Sequence, residues 1–520
     1  MILIYPPVAK PSEPPAGIAK LAGTLAGNGV ACRLLDANIE GLMYILQQPG
    51  SAADTWSRRA IGHRFDNLAA LRDLQIYRSP DRYTRAVRDL QRVLASATQD
   101  CGLVLGLADY QHRHLSPLRS ADLIEAARHP EQNPFYPYFQ KRLPEMIAGA
   151  KRHFVGISLN YLSQALCAFA LIGYIRQAFP GRQIVLGGGL VTSWLQRPEW
   201  QNPFSGLVDH LVAGPGEQPL LNLLGIGDAK EAHSTPHYGA LPLTAYVAPG
   251  LILPYSASSG CYWSKCTFCP ERAEDNPYHP LPVERTLADL HELATATQPV
   301  LLHLLDNAIS PGLLRALTDH PPGIPWYGFA RLGRELANRV FCQALKRSGC
   351  VMLKLGLESG DQGVLDAMGK GIDLETASLA LQNLKAAGIA VYLYLLFGTP
   401  AETAPQAQRT LAFVVQHREM ISFLNLAIFN MPVYGPEATR YETRQFYAGD
   451  LSLYTGFRHP RGWDRKQVRN FLDHEFKQHP AIATLLKNDP PIFTSNHAAF
   501  RYMHTNNSIL AENALVTDNH

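Results

Sequence analysis

Apolar and polar positions follow two successive rhythms along this chain. Met1 to Tyr5 is a short apolar run that stops at Pro6-Pro7, and Ile18, Leu21, Ala22 and Leu25 then recur at helical spacing. Asn28-Gly29 turns the chain into a second apolar run, Ala31 to Leu35, which ends at Asp36. Strand, helix and strand in this order predict the opening of a doubly wound parallel sheet. The rhythm resumes with strands over 154–159, 183–186 and 210–213 and a helix over 165–178. Two of these strands run into glycines, Gly187-Gly188-Gly189 and Gly214-Pro215-Gly216-Glu217. Glycines at the carboxyl ends of such strands let backbone approach a ligand closely.

The second rhythm begins near residue 250. Six apolar runs, 250–255, 300–305, 326–330, 351–357, 389–397 and 423–429, alternate with helical stretches, as a β/α barrel requires. Their ends carry polar residues or glycine: Asp306-Asn307, Arg331, Glu358-Ser359-Gly360 and Gly398 through Glu402. In barrels of this kind the C-terminal ends of the strands hold the chemistry. Residues of about 43–150 interrupt the first rhythm. Arg72, Arg78, Arg82, Arg85, Arg88 and Arg92 recur there among leucines, which predicts amphipathic helices with solvated arginines. Phe135, Tyr136, Tyr138 and Phe139 follow in a proline-punctuated segment. The expected organisation is a doubly wound domain over 1–227 with that helical insertion, a linker over 228–249, a barrel over 250–435 and a small, mostly helical accessory domain over 436–520.

Composition narrows the function classes. The chain has 520 residues, 46% of them hydrophobic and 18% charged, with a net charge of +3. Such a balance does not suggest a nucleic-acid binder, whose domain is usually distinctly basic. No apolar run reaches the length of a membrane span, and the N-terminus lacks a signal-peptide layout. The eight cysteines do not form a disulfide framework, because three lie in one motif and the rest are scattered. A reducing cytoplasm is the expected compartment.

The motif is Cys261-Tyr-Trp-Ser-Lys-Cys266-Thr-Phe-Cys269, spaced C-x4-C-x2-C directly after the first barrel strand. Thiolates this close suit a soft metal centre, either zinc or an iron–sulfur cluster. Structural zinc wants four nitrogen or sulfur ligands, and no fourth cysteine or close-spaced histidine pair follows. A [4Fe–4S] cluster on three cysteines leaves one iron open, which is a catalytic arrangement. The bland readings are a zinc-stabilised interaction protein and three incidental thiols.

This stretch resembles the cluster loop of the radical SAM superfamily, whose commonest spacing, C-x3-C-x2-C, is one residue shorter. The first sheet resembles the cobalamin-binding domain that precedes many radical SAM domains. The matching landmarks are the strand end at Pro7, Asp36-x-Asn38-x-x-Gly41, Val155-Gly-Ile-Ser158, the triple glycine and the G-x-G-E turn. Gly356-Leu-Glu-Ser-Gly360 followed by V-L-D-A-M-G-K-G resembles the fourth-strand segment of the same branch. The resemblance implies a flavodoxin- or Rossmann-like cobalamin-type domain followed by a partial (β/α)6 barrel. It implies that Cys261, Cys266 and Cys269 hold a [4Fe–4S] cluster, with S-adenosylmethionine (SAM) near Phe268, Glu358, Ser359, Arg331 and Asp306. It places cobalamin near Pro7, Asp36, Asn38, Ser158, Gly187, Gly188, Gly189, Gly214, Gly216 and Glu217. Other cobalamin proteins carry a ligating histidine where this chain has Asn38, so no lower imidazole is expected from that motif. The implied activity is reductive cleavage of SAM to a 5′-deoxyadenosyl radical. Methylation at carbon of a small molecule or peptide is the leading outcome, and a flavodoxin or ferredoxin is the expected electron donor. Cyclisation or rearrangement, or a first domain that no longer binds cobalamin, are the alternatives within the resemblance.

Overall fold

The computed structural model describes every residue except 49, 51, 53, 99–101, 149, 151, 198, 227–232, 446, 492–496 and 502–520. The chain divides into two compact units, Met1–Ile252 with Tyr447–Leu453, and Leu253–Phe446 with Tyr454–His520.

The first unit is built on a five-stranded sheet in the order Arg33–Asp36, Ile2–Tyr5, Phe154–Ser158, Gln183–Gly187 and His210–Leu211. All of its pairs are parallel. This is the doubly wound order in which the direction of winding reverses between the first and third strands, here Ile2–Tyr5 and Phe154–Ser158. A crevice for ligands lies outside the carboxyl ends of those two strands in such sheets. The helix Leu162–Ala178 is buried over nearly all of its length, including Phe169, Leu171 and Ile172. Such a helix is covered on both sides, and the insertion supplies the second cover.

The insertion contains the helices Thr55–Gly62, Arg64–Leu71, Pro80–Ala97, Ser120–Arg128 and Tyr136–Ala148, with a hairpin of Leu103–Leu105 and Tyr110–His112. The arginine-rich helix Pro80–Ala97 buries Tyr83, Val87, Leu90, Val93 and Leu94, as its amphipathic pattern predicts. Phe135, Tyr138 and Phe139 are core residues. Helix Ser120–Arg128 crosses the central helix so closely that a Cβ on Gly173 would lie 1.8 Å from the Ala127 carbonyl oxygen.

The second unit carries a six-stranded sheet in strict chain order: Ile252–Tyr255, Leu301–Leu304, Trp326–Ala330, Cys350–Glu358, Ala390–Phe397 and Phe423–Ile428. The pairs from the second strand onward are parallel, and a helix follows each of the second to fifth strands. This is a partial (β/α)6 barrel. The alternation is visible in burial. Leu353, Leu355, Leu357, Leu393, Leu395 and Phe397 are buried, whereas the intervening Gly356, Glu358, Tyr394 and Leu396 are half-exposed.

The linker residues from 233 to 250 form no helix or strand and are stitched to the first unit: Tyr246 donates to Asp36 (2.8 Å), and Arg72 Nε donates to the Tyr246 carbonyl (3.2 Å). Residues 228–232 of that linker lie outside the described residues. The described part of the accessory segment is mostly helical, as expected, and residues 446, 492–496 and 502–520 of it lie outside the described residues. Tyr447–Leu453 belongs to the first unit, where Leu451 N donates to Leu118 O (2.9 Å) and Arg197 to Ser452 O (2.6 Å). The remainder combines a three-stranded antiparallel sheet (Met431–Pro432, Tyr454–Phe457, Thr443–Arg444) with the helices Arg465–Phe471 and Pro480–Leu486. Val468, Phe471, Leu472 and Phe476 are buried, as their helical spacing predicts.

Candidate active site

In the second unit the three cysteines occupy the loop that leaves the first barrel strand, at its carboxyl end. All three are half-buried and free of disulfides. Among the described residues no three cysteine, histidine, aspartate or glutamate side chains converge on one ion position. Burial raises the Cys266 thiol, and the nearby Lys370 and Arg331 cations oppose that shift. Burial pushes Cys269 up to about 11, although backbone N–H groups of Glu271 and Arg272, at the start of helix Pro270–Ala273, point to it. Three soft thiols with two cations beside them fit an anionic iron–sulfur thiolate group.

Two clasps shape the loop. The first comes from the end of the second barrel strand. Asp306, fully buried, accepts from Ala257 N (3.1 Å) and from the Ser258 hydroxyl, and Asn307 Nδ2 donates to Gly260 O (3.2 Å). Asp306 therefore braces the cysteine loop with both carboxylate oxygens instead of facing an open cleft. The second clasp comes from Met368–Gly371, after the fourth strand. Thr267 N donates to Met368 O (2.9 Å) and Trp263 Nε1 to Gly369 O (3.0 Å). Arg331 lies over the Trp263 ring (4.0 Å to the centroid) and donates to the Lys370 carbonyl. Arg331 is thus turned to the cysteine loop, not left as an open fork for a carboxylate.

Glu358 ends the fourth strand with φ +70°, at a bulge in its pairing with the fifth strand. A non-glycine residue there is strained, and such strain concentrates at sites where one side chain must be aimed. The bulge turns Glu358 toward Lys370, whose Nζ donates to Oε1 at 2.8 Å. Lys370, largely buried, also stands 5.6 Å from the centroid of the half-buried Phe268 ring. Glu358 and Phe268 are therefore brought together beside the cysteines. Ser359 is not: its buried hydroxyl pairs with Thr410 (3.2 Å) and accepts from Asp361 N (3.2 Å), between the fourth strand and helix Ala404–Gln416. Trp263, Gly369, Lys370 and Gly371 carry the clasp; the last three end the V-L-D-A-M-G-K-G stretch noted above, but none of the four was assigned a contact from sequence. The signal available was the pair of glycines around Lys370.

In the first unit the carboxyl edge of the sheet gathers Pro7, Ser158 and the triple glycine. Asn160 braces this edge, donating to Ser158 Oγ (3.1 Å) and accepting from Gly189 N (3.0 Å). Gly188, at φ +110°, must be glycine because a Cβ would lie 2.4 Å from the Leu159 carbonyl oxygen. A Cβ on Gly214 would meet nothing within 4 Å, and one on Gly189 only Asn160 at 3.8 Å, so backbone here faces open space. That open edge fits a large flat ligand approaching backbone.

Four expected contacts serve the protein itself. Asp36 caps helix Ala37–Gln47 through Asn38 N (3.0 Å) and Ile39 N (3.1 Å), accepts from Tyr246, and is pushed by burial to about 7. Asn38 pairs with both backbone groups of Ala9, at 2.9 and 3.0 Å. Glu217 is ion-paired with Lys20 at 2.5 Å. Gly216 has an ordinary helical backbone (φ −85°) and packs toward Leu21. These residues fix the loops around the edge and present no free side chain to it.

The comparisons with known proteins can be set against this geometry. No family model matches the chain. The solved radical S-adenosylmethionine methyltransferase TsrM of Kitasatospora setae, with tryptophan substrate and a SAM analogue bound, superposes with a TM-score of 0.57. The match covers 99% of both chains at 12% identity. The chain has the fold of TsrM. This is the fold of a radical SAM methyltransferase, and another TsrM structure carries cobalamin and a [4Fe–4S] cluster. The cobalamin-dependent radical SAM enzyme OxsB matches over 56% of this chain and 46% of its own, with a TM-score of 0.43 and 18% identity. An uncharacterized methyltransferase of Pyrococcus horikoshii is 26% identical over 240 residues, 42% of this chain. The chain spans about half the length of that curated relative (51%). No helix among the described residues is long and apolar enough to cross a membrane.

Proposed function

We propose that this chain is a radical SAM enzyme with a cobalamin-binding first unit and that it methylates carbon on a small-molecule or peptide substrate. The observation that carries the reading is the three-cysteine loop at the carboxyl end of the first strand of a six-unit barrel, clasped beside Glu358. When bound, a [4Fe–4S] cluster supplies the electron that cleaves SAM, and cobalamin carries a methyl group. Cys261, Cys266 and Cys269 hold the cluster. Asp306 and Asn307 keep the loop in its ligating shape from one side, and Met368–Gly371 does so from the other. Glu358, aimed by its positive φ and held by Lys370, offers its Oε2 to a hydroxyl or ammonium group of SAM. Phe268 gives the adenine an apolar surface. The edge at Pro7, Ser158, Gly189 and Gly214 accepts cobalamin through backbone approach, without an imidazole from position 38. The relatives' methyltransferase descriptions support methyl transfer over cyclisation or rearrangement. A flavodoxin- or ferredoxin-type donor supplies reducing equivalents.

Anaerobic reconstitution tests the reading. Parent protein is expected to gain the broad visible absorbance of a cluster and, with cobalamin added, the corrin bands. Cys261→Ala is expected to lose the cluster absorbance and keep the corrin bands. Cluster absorbance retained in Cys261→Ala would remove the reading. Absence of corrin bands in the parent would restrict it to the barrel.

A further inference from the structure

The insertion of the first unit carries a cleft to which the proposed function assigns no role. Its volume is about 370 Å³, within the range of small-molecule sites. One wall is the end of the hairpin and the loop after it, Asp109 to Pro117 with Arg119. The other is Leu162 and Ser163, the first residues of helix Leu162–Ala178. Ser163 is tied to the loop that leaves the first strand: its hydroxyl donates to Val8 O (2.8 Å), and its carbonyl accepts from Val8 N (3.4 Å). The cleft therefore borders the place where the winding of the sheet reverses, at the carboxyl ends of Ile2–Tyr5 and Phe154–Ser158.

The loop supplies this space mainly with donors. His112 Nδ1 accepts from His114 N (3.0 Å) and Leu115 N (2.9 Å), so the proton of the neutral ring sits on Nε2. Burial, and then the neighbouring His114, lower the pKa of His112 against the pull of Asp122, which keeps the ring in that neutral form at pH 7. Ser116 Oγ accepts from Leu118 N (3.2 Å) and keeps its own hydrogen to donate. The exposed Arg113 side chain makes no hydrogen bond or ion pair among the described residues, so its fork and its charge are both available. Arg119 is already answered by Asp122 at 2.7 Å. Asp109, the carboxylate of the wall, has both oxygens engaged, by Tyr110 N (2.9 Å) and Gln111 Nε2 (2.7 Å). A guanidinium, an imidazole N–H and a hydroxyl around one space suit a phosphate, with its several acceptor oxygens, better than a carboxylate that a single arginine fork satisfies. We propose that the cleft is an anion site that takes the phosphate group of a ligand seated beside the first strand's end, through Arg113, His112 and Ser116. Two sources have this chemistry, the phosphodiester in the nucleotide tail of cobalamin and a phosphorylated substrate. Only the first of them rests on the cobalamin reading of this unit.

The test uses the full chain, free of cobalamin, titrated calorimetrically with inorganic pyrophosphate. The parent is expected to bind, and Arg113→Gln to bind at least about tenfold more weakly, as the loss of a charge-assisted pair predicts. Arg113→Lys, which keeps the charge without the fork, is expected to fall between them. Arg85→Gln removes the same charge from an exposed position of helix Pro80–Ala97 and is expected to match the parent. Filtration with hydroxocobalamin and with cobinamide, the corrin without the nucleotide, then reads the source. With the cofactor's phosphodiester as occupant, Arg113→Gln retains hydroxocobalamin less well and cobinamide equally, and bound hydroxocobalamin blocks pyrophosphate. With a substrate phosphate as occupant, Arg113→Gln retains hydroxocobalamin as the parent does, and the loaded protein still binds pyrophosphate. A parent that does not bind pyrophosphate, or an Arg113→Gln variant that binds it as well as Arg85→Gln does, would overturn the proposal. A parent that binds pyrophosphate but retains neither corrin would instead overturn the cobalamin reading and leave the site standing.

Discussion

Glu402 offers a quantitative check on how the barrel is closed. It follows the fifth strand, is fully buried, and accepts through Oε2 from Gly398 N (2.5 Å) and from Trp463 Nε1 (3.0 Å). Its Oε1 is buried with no hydrogen-bond partner. Burial is the largest influence and raises the carboxyl from 4.5 to about 7, with the two donors opposing it. Between these values the native state keeps a proton that the unfolded state has released. Stability from this residue is therefore fully present below pH 4.5, falls as pH rises, and is lost above pH 7. At about 1.4 kcal/mol per tenfold change in proton affinity, the whole span is worth about 3 kcal/mol. Glutamine keeps a carbonyl acceptor for both donors and has nothing to ionise. Glu402→Gln is expected to match the parent near pH 4.5 and to exceed it by up to about 3 kcal/mol at pH 8. Denaturant unfolding followed by tryptophan fluorescence across that range measures the difference. Asp36, also raised to about 7, adds a slope of the same sign, but it is present in both proteins and cancels in the comparison. A difference that does not change with pH, or a variant less stable at pH 8, would refute the reasoning.

Other outcomes follow from the same contacts. Trp463→Phe leaves Glu402 Oε2 with a single donor and is expected to cost about 1–3 kcal/mol, read by the same unfolding assay. Gly173→Ala must separate two packed backbones and is expected to destabilise the first unit by about 3 kcal/mol, visible as a lowered thermal midpoint. Asn38→Ala removes both bonds to Ala9. It is expected to weaken cobalamin retention in a filtration assay while leaving the electron paramagnetic resonance spectrum of bound cob(II)alamin unchanged, because Asn38 is turned to Ala9. A new nitrogen splitting or a change of spectrum in that variant would contradict this placement.

The fold was readable where one strand face is buried by its own sequence pattern. The six barrel strands fall within one or two residues of their apolar runs because both faces of a central parallel strand are covered or half-covered. In the accessory segment the helices were readable and the short strands were not. The short strands Thr443–Arg444 and Met431–Pro432 are too brief to carry a period, and Tyr447–Leu453 joins the first unit through bonds to Leu118, Ser120 and Arg197, whose positions lie hundreds of residues away. At the site, cysteine chemistry is local in sequence, so the three thiols were legible. The partners of Asp36, Glu217 and Ser359 are not local: Tyr246, Lys20 and Thr410 lie far along the chain. Polar residues at strand ends therefore read as ligand contacts when they serve as braces. Gly369 and Gly371 were visible as glycines, but the indole that requires them sits more than a hundred residues earlier.

The central claim, that the three cysteines hold a cluster that cleaves SAM, is tested most directly by product analysis. Parent protein, reconstituted anaerobically with iron and sulfide, is incubated with SAM and a strong reductant, and 5′-deoxyadenosine is quantified beside iron and zinc content. The account predicts iron and sulfide for one [4Fe–4S] cluster per chain and release of 5′-deoxyadenosine, with both lost when Cys261, Cys266 and Cys269 are replaced by alanine. Stoichiometric zinc without iron, or a loaded cluster that leaves SAM intact, would contradict it.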